Sequence, residues 1–448
     1  MVAKREGMDR SRTVVAARPD ELRKKSDREN PMTSKVGRFR IWSSLRVSRE
    51  WQPWLAGIAI VAVAGAGAGW LADAGLGGYQ PLRALVCVVG LVLALVRPRA
   101  VLDLGARNPA LLAFAAWSFA SILWTRSHSE TFTTLAGLGG VLLFGVVLAL
   151  MELRYDSYAV VLWALTCTSV ASYLVIFLAP GVGTVTVDHP TEGTIVQPIG
   201  VFIWNSDLGF SAALGCVIAL SMFIRKRPKR RWAFFILAAF HAGLVWISNA
   251  ATAVLVLVAG LTVILLTAHR KTSLPALFVA VAGLVGGILS FGVQGLADRA
   301  LGLLGRSTTL TGRVDLWEST LEQARDSVWL GKGAGVEPNF DGLSNAVHSH
   351  NGFVQIYFDR GLIGVALIVV VVIWALAICL IARRWLGLSV VVMVVVANAA
   401  NNYLSYASFG LLLLVWHSYS ARHGTQASRV GSGAAREDAR NSRVESAS

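Results

Sequence analysis

Long apolar runs separated by short polar segments make up most of the sequence from about residue 54 onward. A helix that crosses the hydrocarbon core of a membrane needs roughly 20 predominantly apolar residues. The pattern therefore predicts an all-α, polytopic membrane protein. About twelve spans are expected, at approximately 54–72, 82–96, 109–124, 132–151, 158–179, 205–224, 232–248, 250–268, 274–297, 361–382, 386–401 and 406–419.

Four of these spans come from dividing two longer apolar stretches. Residues 232–268 contain no Asp, Glu, Lys or Arg, and as a single helix they would extend about 55 Å, nearly twice the thickness of the membrane core. The polar pair Ser248-Asn249 predicts a turn within this stretch. Asn401-Asn402-Tyr403 divides the last long stretch in the same way.

The composition supports the same fold class. Hydrophobic residues make up 55% of the chain and charged residues only 15%, whereas a soluble domain carries about 25% charged residues. A soluble enzyme with one core is therefore excluded. The four cysteines lie inside apolar runs without a CxxC pair, so neither a disulfide framework nor a cysteine metal site is expected.

The placement of basic residues predicts the orientation. With the N-terminus in the cytoplasm, 14 Lys and Arg residues fall in the short inner loops, while the short outer loops hold only Arg83 and Arg126. Cytoplasmic loops are enriched in Lys and Arg. We therefore expect a multi-pass protein of the cell membrane with both termini cytoplasmic.

Two polar tails flank the predicted membrane domain, 51–420. Residues 1–50 hold 14 basic and 7 acidic residues, and residues 421–448 are rich in Ser, Arg, Ala and Gly. Both tails are predicted to be disordered and cytoplasmic. The net charge of +15 brings nucleic acid into consideration, but contact of the basic tail with anionic lipid is the favoured interpretation.

The longest segment between spans is 298–350, predicted to lie outside between spans nine and ten. Its length indicates a functional or independently structured loop. Residues 313–329 have helical periodicity, with Thr311 as a candidate cap at the start and Gly331 at the end. The side chains expected along one side are Leu316, Trp317, Thr320, Leu321, Ala324 and Val328.

The end of this loop carries His348, His350 and Asn351. A histidine at this position can accept a proton near neutral pH. Two other interpretations are an interfacial histidine with its polar tip in water and a metal ligand. His-x-His supplies only two ligands, and the nearby acids lack ligand spacing, so no metal is predicted.

Basic residues of the same loop form a second candidate site. A guanidinium binds phosphate bidentately and keeps its charge, although acidic residues of the loop could also balance these cations. The candidates are Arg299, Arg306, Arg313, Arg325 and Lys332. Within the membrane, Asp207 lies near the outer end of an apolar span, where a carboxylate usually faces a cavity or a partner.

Three segments resemble the O-antigen ligase and O-antigen polymerase family, particularly its exopolysaccharide-polymerase-like members. TGRVDLW at 311–317, followed by WLGKG at 329–333, is similar to the family's TGR and W motifs. HNGFVQ at 350–355, followed by GLIG at 361–364, resembles the family's HNGYL and GLxG motifs. NSDLG at 205–209 is a weaker match to KNxLG.

This resemblance implies a metal-independent glycosyltransferase without a cofactor, whose donor is a glycan on a polyprenyl diphosphate in the outer leaflet. The acceptor is another glycan or a lipid-linked acceptor. By resemblance, His350 activates the acceptor hydroxyl and Arg313 binds the diphosphate. Fixed guanidiniums would stabilise the negative charge that grows on the leaving diphosphate.

The same resemblance implies a set of substrate-binding residues. Family members commonly carry a basic residue in the segment corresponding to 248–252, where this chain has none. Diphosphate binding is therefore expected to depend more on the other loop arginines. The substrate-binding residues expected are Arg306, Arg299, His348, Asn351 and Asp207. Membrane lipids and other polysaccharide-assembly proteins are the expected partners.

Two alternatives remain open from the sequence. A secondary transporter or lipid-linked-sugar flippase would use Asp207 for ion coupling, and it predicts paired, broken helices at mid-membrane. A peptidoglycan polymerase of the shape-and-division type also uses polyprenyl-diphosphate donors. That relative depends on a loop aspartate, for which Asp315 and Asp341 are the candidates.

Overall fold

The computed structural model describes residues 51–68, 71, 79–96, 98–152, 156–189, 193–225, 228–268, 311–340 and 348–419. Several predictions concern other residues. Both predicted tails, the span at 274–297, Arg299, Arg306 and Asp341 lie outside the described residues.

The described part of the chain is mostly helical. Its helices are α1 (Trp51–Val63), α2 (Tyr79–Leu95), α3 (Pro98–Gly105), α4 (Pro109–Ala120), α5 (His128–Met151), α6 (Ser157–Leu178), α7 (Asn205–Arg225), α8 (Pro228–Ile247), α9 (Ala251–Ala268), α10 (Thr311–Gln323), α11 (Gly352–Ile381), α12 (Trp385–Ala400) and α13 (Phe409–Tyr419). Single turns at Ser121–Leu123, Pro180–Gly183 and Arg325–Ser327 and the strands β1 (Thr184–His189) and β2 (Gly193–Pro198) complete the list.

Four helices in the described part, α5, α6, α7 and α11, are long and apolar enough to cross a membrane. A fifth span results if α2 and α3, which are bent by 107° at a short break, are counted together. Six shorter apolar helices accompany them. The chain is therefore a multi-pass membrane protein, while the count of twelve spans stays a prediction.

Both predicted divisions of the long apolar stretches agree with the structure. Helix α8 ends at Ile247 and α9 begins at Ala251, and Asn249 between them has a φ of 51°. At the second division, α12 ends at Ala400 and α13 begins at Phe409. Polar residues inside an apolar run mark helix ends here because their side chains satisfy backbone groups that the helices leave open.

Helix α11 begins at Gly352, nine residues before the predicted start of span ten. Gly361 interrupts it with non-helical dihedrals, φ 65° and ψ −171°. The part after this kink, 361–381, coincides with the predicted span and is about 31 Å long at the usual helical rise. The first piece, 352–360, is thus a separate short helix that ends at the kink.

Two predictions need correction. The fold is not purely helical, because β1 and β2 form an antiparallel hairpin that pairs Val187 with Ile195. Helix α10 ends at Gln323 instead of continuing to 329, and a single turn follows it.

The buried side of α10 is also narrower than predicted. Its buried stripe is Leu316, Thr320 and Ala324, spaced by four residues, whereas Leu321 is exposed. A stripe at i, i+4 and i+8 contacts its neighbour along one line. Trp317 and Val328 are half-buried, so the predicted face departs from the structure at Leu321.

Candidate functional site

Three segments that are distant in the sequence meet at one end of the helix bundle, which we call the histidine end. They are the start of α7, the turn that precedes α11, and the residues that follow α12. Arg313 from α10 donates from Nη1 to the carbonyl of Ala400 at 2.9 Å. His348 Nε2 lies 3.3 Å from Asn401 Oδ1, and Asn401 Nδ2 donates to Ser206 Oγ at 3.1 Å.

The histidine turn, residues 348–351, brings the two imidazoles together. Their ring centroids are 4.4 Å apart. His350 has a φ of 49°, a left-handed conformation that costs a non-glycine residue roughly 1–3 kcal/mol and persists only where the surroundings enforce it. The turn must therefore be held by its neighbours.

Ser349, between the two histidines, supplies that restraint. Its backbone N–H donates to Gln355 Oε1 at 3.2 Å, and its carbonyl accepts from Trp317 Nε1 at 2.8 Å. Asn351 then caps α11, since its Oδ1 accepts from the N–H groups of Phe353 and Val354 at 3.0 and 3.3 Å. An Asn at the N-cap satisfies backbone donors that the helix leaves open. Side chains of α10 and α11, together with Asn351 of the turn itself, thus fix the turn.

The histidines are neutral in the free protein. Burial, together with the nearby His348 and Arg313 and against a hydrogen bond to Asn401, lowers the pKa of His350 to about 3. Burial also lowers the pKa of His348, with the Asn401 hydrogen bond opposing and Arg313 adding to the shift. A neutral imidazole has a nitrogen lone pair that can accept a proton.

Arg313 provides the positive charge of the histidine end. Burial lowers the pKa of its guanidinium, but an arginine in a protein keeps its proton. Its neighbours in the site are imidazoles and a backbone carbonyl. The arrangement therefore places one fixed cation beside two proton acceptors, which suits an anionic substrate with a nearby hydroxyl.

Asp207 reaches the same region through Tyr403. The Tyr403 hydroxyl donates to Asp207 Oδ1 at 2.9 Å, and the Tyr403 ring packs against Phe210 with centroids 4.7 Å apart. Asp207 lies in the first turn of α7, where the helix dipole favours a negative charge. The Asp207 carboxylate is thus held by Tyr403. Tyr403 lies two residues after Asn401, which contacts His348.

A chain of buried polar groups, which begins at Gln355 in α11, supports the histidine turn. Gln355 Nε2 donates to Asp359 Oδ1 at 3.0 Å, and Arg360 Nη1 pairs with Asp359 Oδ2 at 3.4 Å. All three side chains are completely buried. Arg360 further donates to Ser118 Oγ at 2.9 Å and to the carbonyl of Ser405 at 2.8 Å. This buried ion-pair chain connects the turn to α4 and to the segment before α13.

The sequence patterns do not predict this chain or the contacts of Asn401 and Tyr403 in the site. Both had a visible signal. Asp359 and Arg360 are adjacent charges directly before Gly361 in an otherwise apolar run, and a charged pair at such a position usually has partners. Asn401 and Tyr403 predict a turn, and polar groups at a helix end can also line a site that lies there.

Of the predicted basic cluster, only Arg313 joins the histidines within the described residues. Arg325 pairs with exposed Glu322 at 3.5 Å. Lys332 pairs with Asp326, which also lies 3.7 Å from Arg126. The basic residues of the loop therefore do not form one cluster: Arg313 lies beside the histidines, whereas Arg325 and Lys332 pair with acidic residues elsewhere.

Comparison with known proteins identifies relatives. Residues 238–369 match the O-antigen ligase family. The chain is 30% identical over 310 residues to the exopolysaccharide production protein ExoQ of Rhizobium meliloti (strain 1021), an alignment that covers 64% of this chain and 68% of that protein. The family match includes Arg313, the histidine turn and the buried ion-pair chain, which the structure brings together.

Proposed function

Since this chain belongs to the O-antigen ligase and polymerase family of membrane enzymes for surface polysaccharide biosynthesis, we propose that it transfers glycan from a polyprenyl-diphosphate carrier to a glycan hydroxyl. The observation that carries this proposal is the position of Arg313 beside two neutral histidines in one half-buried turn. A diphosphate needs the cation, and an incoming hydroxyl needs the proton acceptor. Polymerisation of repeat units and ligation to a separate acceptor use this same chemistry.

The reaction forms one bond and breaks one. The acceptor oxygen attacks the anomeric carbon of the donor, and the bond from that carbon to the diphosphate oxygen breaks. The electron pair leaves with the polyprenyl diphosphate, whose growing negative charge Arg313 stabilises. The proton of the acceptor hydroxyl passes to the imidazole of His350 and then to water. No metal or cofactor enters these steps.

The other predicted residues take binding roles in this proposal. His348 and Asn351 flank the base, and Asp207 accepts hydrogen bonds from a substrate hydroxyl, since its charge would repel the diphosphate. Arg299 and Arg306 supply further cations for the donor. The peptidoglycan-polymerase alternative would instead need Asp315 or Asp341 as its aspartate.

The proposal places the histidine end outside the cell, with both termini cytoplasmic and residues 51–420 as the membrane domain. Support comes from the basic residues: Arg383 and Arg384 precede α12 and Arg225 ends α7, and both positions lie at the helix ends opposite the histidine turn. The donor and acceptor would then approach from the outer leaflet, where membrane lipids and other polysaccharide-assembly proteins are the neighbours.

The test uses the purified protein in lipid nanodiscs with a polyprenyl-diphosphate oligosaccharide. We expect the wild-type protein to produce longer lipid-linked chains, and His350→Ala and Arg313→Ala to lose roughly 100-fold or more in rate. Arg325→Ala is the matched control, because this arginine lies in the same segment but pairs with Glu322. It should retain transfer.

Two results would count against the proposal. Equal transfer by all three variants would remove His350 and Arg313 from the chemistry. Movement of labelled lipid-linked glycan across a membrane without any new glycosidic bond, abolished by Asp207→Asn, would instead support the transporter or flippase alternative.

A further inference from the structure

A groove beside the kink of α11 has no role in the chemistry described above. It is an open cavity of about 370 Å³ between the connection of α4 to α5 and the segment that follows α10. We call it the tryptophan groove. Its lining includes two tryptophans, three charged side chains and a glycine: Trp124, Trp329, Arg126, Asp326, Lys332 and Gly331.

Backbone hydrogen bonds fix one wall of this groove to α11. The N–H of Lys332 donates to the carbonyl of Phe358 at 2.8 Å, and the N–H of Leu362 donates to the carbonyl of Val328 at 2.8 Å. Gly331 and Gly361 both have positive φ and lie against each other's segments, where a Cβ would overlap the opposite backbone. The wall is therefore held directly at the kink.

The other wall is fixed as well. Trp124 Nε1 donates to the carbonyl of Leu330 at 3.2 Å, and the Trp124 ring packs on Trp117 with centroids 5.2 Å apart. Trp117 Nε1 in turn donates to the carbonyl of Arg360 at 2.9 Å. The Trp124 indole, which lines the groove, thus belongs to a rigid frame, and a ligand would meet a preformed surface on this wall.

The groove combines aromatic faces with charged groups of both signs. The side chain of Trp329 is 66% exposed. Asp326 lies between Arg126, at 3.7 Å, and Lys332, so acceptors and donors stand side by side. Aromatic rings stack on the C–H face of a pyranose, while carboxylate and ammonium groups hydrogen-bond to its hydroxyls. A lipid chain would only desolvate these charges, at a cost.

The length of the first piece of α11 sets the distance between the histidine turn and the kink beside the groove. The first piece of α11 separates the histidine turn from the kink by nine residues, about 13 Å along the helix. A glycan chain that begins at the histidine turn could therefore reach the groove with sugar units beyond the one that reacts. We propose that the tryptophan groove is a carbohydrate subsite that binds pyranose units of a glycan chain away from the bond being formed. This inference rests on the proposed function.

The experiment measures binding of a sugar without its lipid. Short oligosaccharides, released by mild acid hydrolysis from the surface polysaccharide of the producing cell, are titrated into the protein in nanodiscs and followed by saturation-transfer NMR. Trp329→Ala should weaken binding about tenfold, a typical loss for one aromatic stacking partner. Trp329→Phe, which keeps an aromatic face, should recover most of the affinity.

Trp246 provides the matched control. It is a tryptophan with 81% exposure near the end of α8, beside Ser248, whose carbonyl accepts from Asn205 at the start of α7. Trp246→Ala should bind the oligosaccharide like the wild-type protein. Equal weakening by Trp246→Ala and Trp329→Ala would identify both as membrane anchors and overturn the subsite, as would unchanged binding by Trp329→Ala.

The failure of this inference can be distinguished from failure of the proposed function. His350→Ala should lose glycan transfer and still bind the oligosaccharide, because the groove does not include the histidine turn. The KM is measured separately for the donor and the acceptor. The substrate whose KM rises in Trp329→Ala is the one whose glycan occupies the groove. An unchanged KM for both substrates contradicts the subsite even where transfer itself is intact.

Discussion

The two ends of the helix bundle hold half-buried polar clusters of different composition. At the end opposite the histidines, which we call the glutamate end, Arg384 Nη2 pairs with Glu152 Oε1 at 2.6 Å and Trp416 Nε1 donates to Glu152 Oε2 at 3.1 Å. At the histidine end, Arg313 donates to a backbone carbonyl and has imidazoles as neighbours. At the glutamate end the guanidinium pairs with a carboxylate. At the histidine end the described contacts of the guanidinium include no carboxylate.

This difference separates a structural cluster from a binding cluster. A buried cation paired with a carboxylate has its charge compensated within the protein. A cation whose partner is a carbonyl keeps most of its attraction for an anion, and that attraction grows where water is excluded. The glutamate end therefore connects α5 with α12 and α13, while the histidine end is prepared for a charged substrate.

The largest effect is expected from exchanging arginine for lysine at each end. Arg313→Lys keeps the charge but loses the planar, bidentate donor set, so we expect glycan transfer to fall roughly 100-fold. Arg384→Lys should lower the thermal unfolding midpoint and leave turnover per folded molecule nearly unchanged. Transfer assays normalised to folded protein, together with thermal unfolding in detergent, measure both.

The opposite pattern would reverse the comparison. If Arg384→Lys lost turnover while Arg313→Lys kept it, the glutamate end would be the reactive one. If both variants fold less well, the rates stay comparable, because transfer is expressed per folded molecule.

A smaller effect on transfer is expected from replacing Gln355, which supports the histidine turn. Gln355→Leu keeps the volume but removes the acceptor for the N–H of Ser349 and the donor to Asp359. The turn would then hold His350 less firmly, and we expect kcat to fall about tenfold, since small misplacement of a reacting group is costly. The KM for the donor should change little, because Arg313 stays in place.

Gln323→Leu is the control for this variant. Gln323 also bridges two segments, with its Nε2 2.7 Å from the carbonyl of Asn339 and its Oε1 2.9 Å from the N–H of the same residue. It lies at the end of α10, away from the histidine turn. Equal loss of kcat in both variants would show a general effect of a missing hydrogen bond and reject the positioning role of Gln355.

The sequence predicted the helices far better than it predicted the site's supports. Apolar length and polar interruptions locate helix ends, because a membrane span must satisfy its own backbone, and the break at Ser248-Asn249 follows from that rule. The contact of Arg313 with the last residue of α12 does not follow from any such rule. It joins residues 87 positions apart, and no local pattern encodes which helix ends meet.

The hairpin and the kink show the same limit. Val185 and Val187 alternate with polar residues, a strand pattern, but the stretch is too short to outweigh the surrounding helical expectation. At Gly361, the apolar run predicts a span that starts there, and the structure adds a short helix before it. That helix is held by Arg360, which pairs with Asp359 and donates to partners on α4 and near α13, contacts that depend on tertiary packing.

The smallest effect concerns the pH dependence of transfer, which tests whether the histidine end responds to its substrate's charge. Burial holds the pKa of His350 at about 3 in the free protein, so the imidazole is neutral from about pH 5 to pH 8, the range in which an unperturbed histidine titrates. A bound diphosphate favours the protonated imidazole and raises this pKa. Accordingly, kcat/KM, which reports the free enzyme, should stay flat toward acid, whereas kcat should decline as the pH falls. Acid limbs at the same pH in both profiles would mean that the donor's charge does not reach His350, and Arg313 would then hold the diphosphate too far from the base for the transfer proposed.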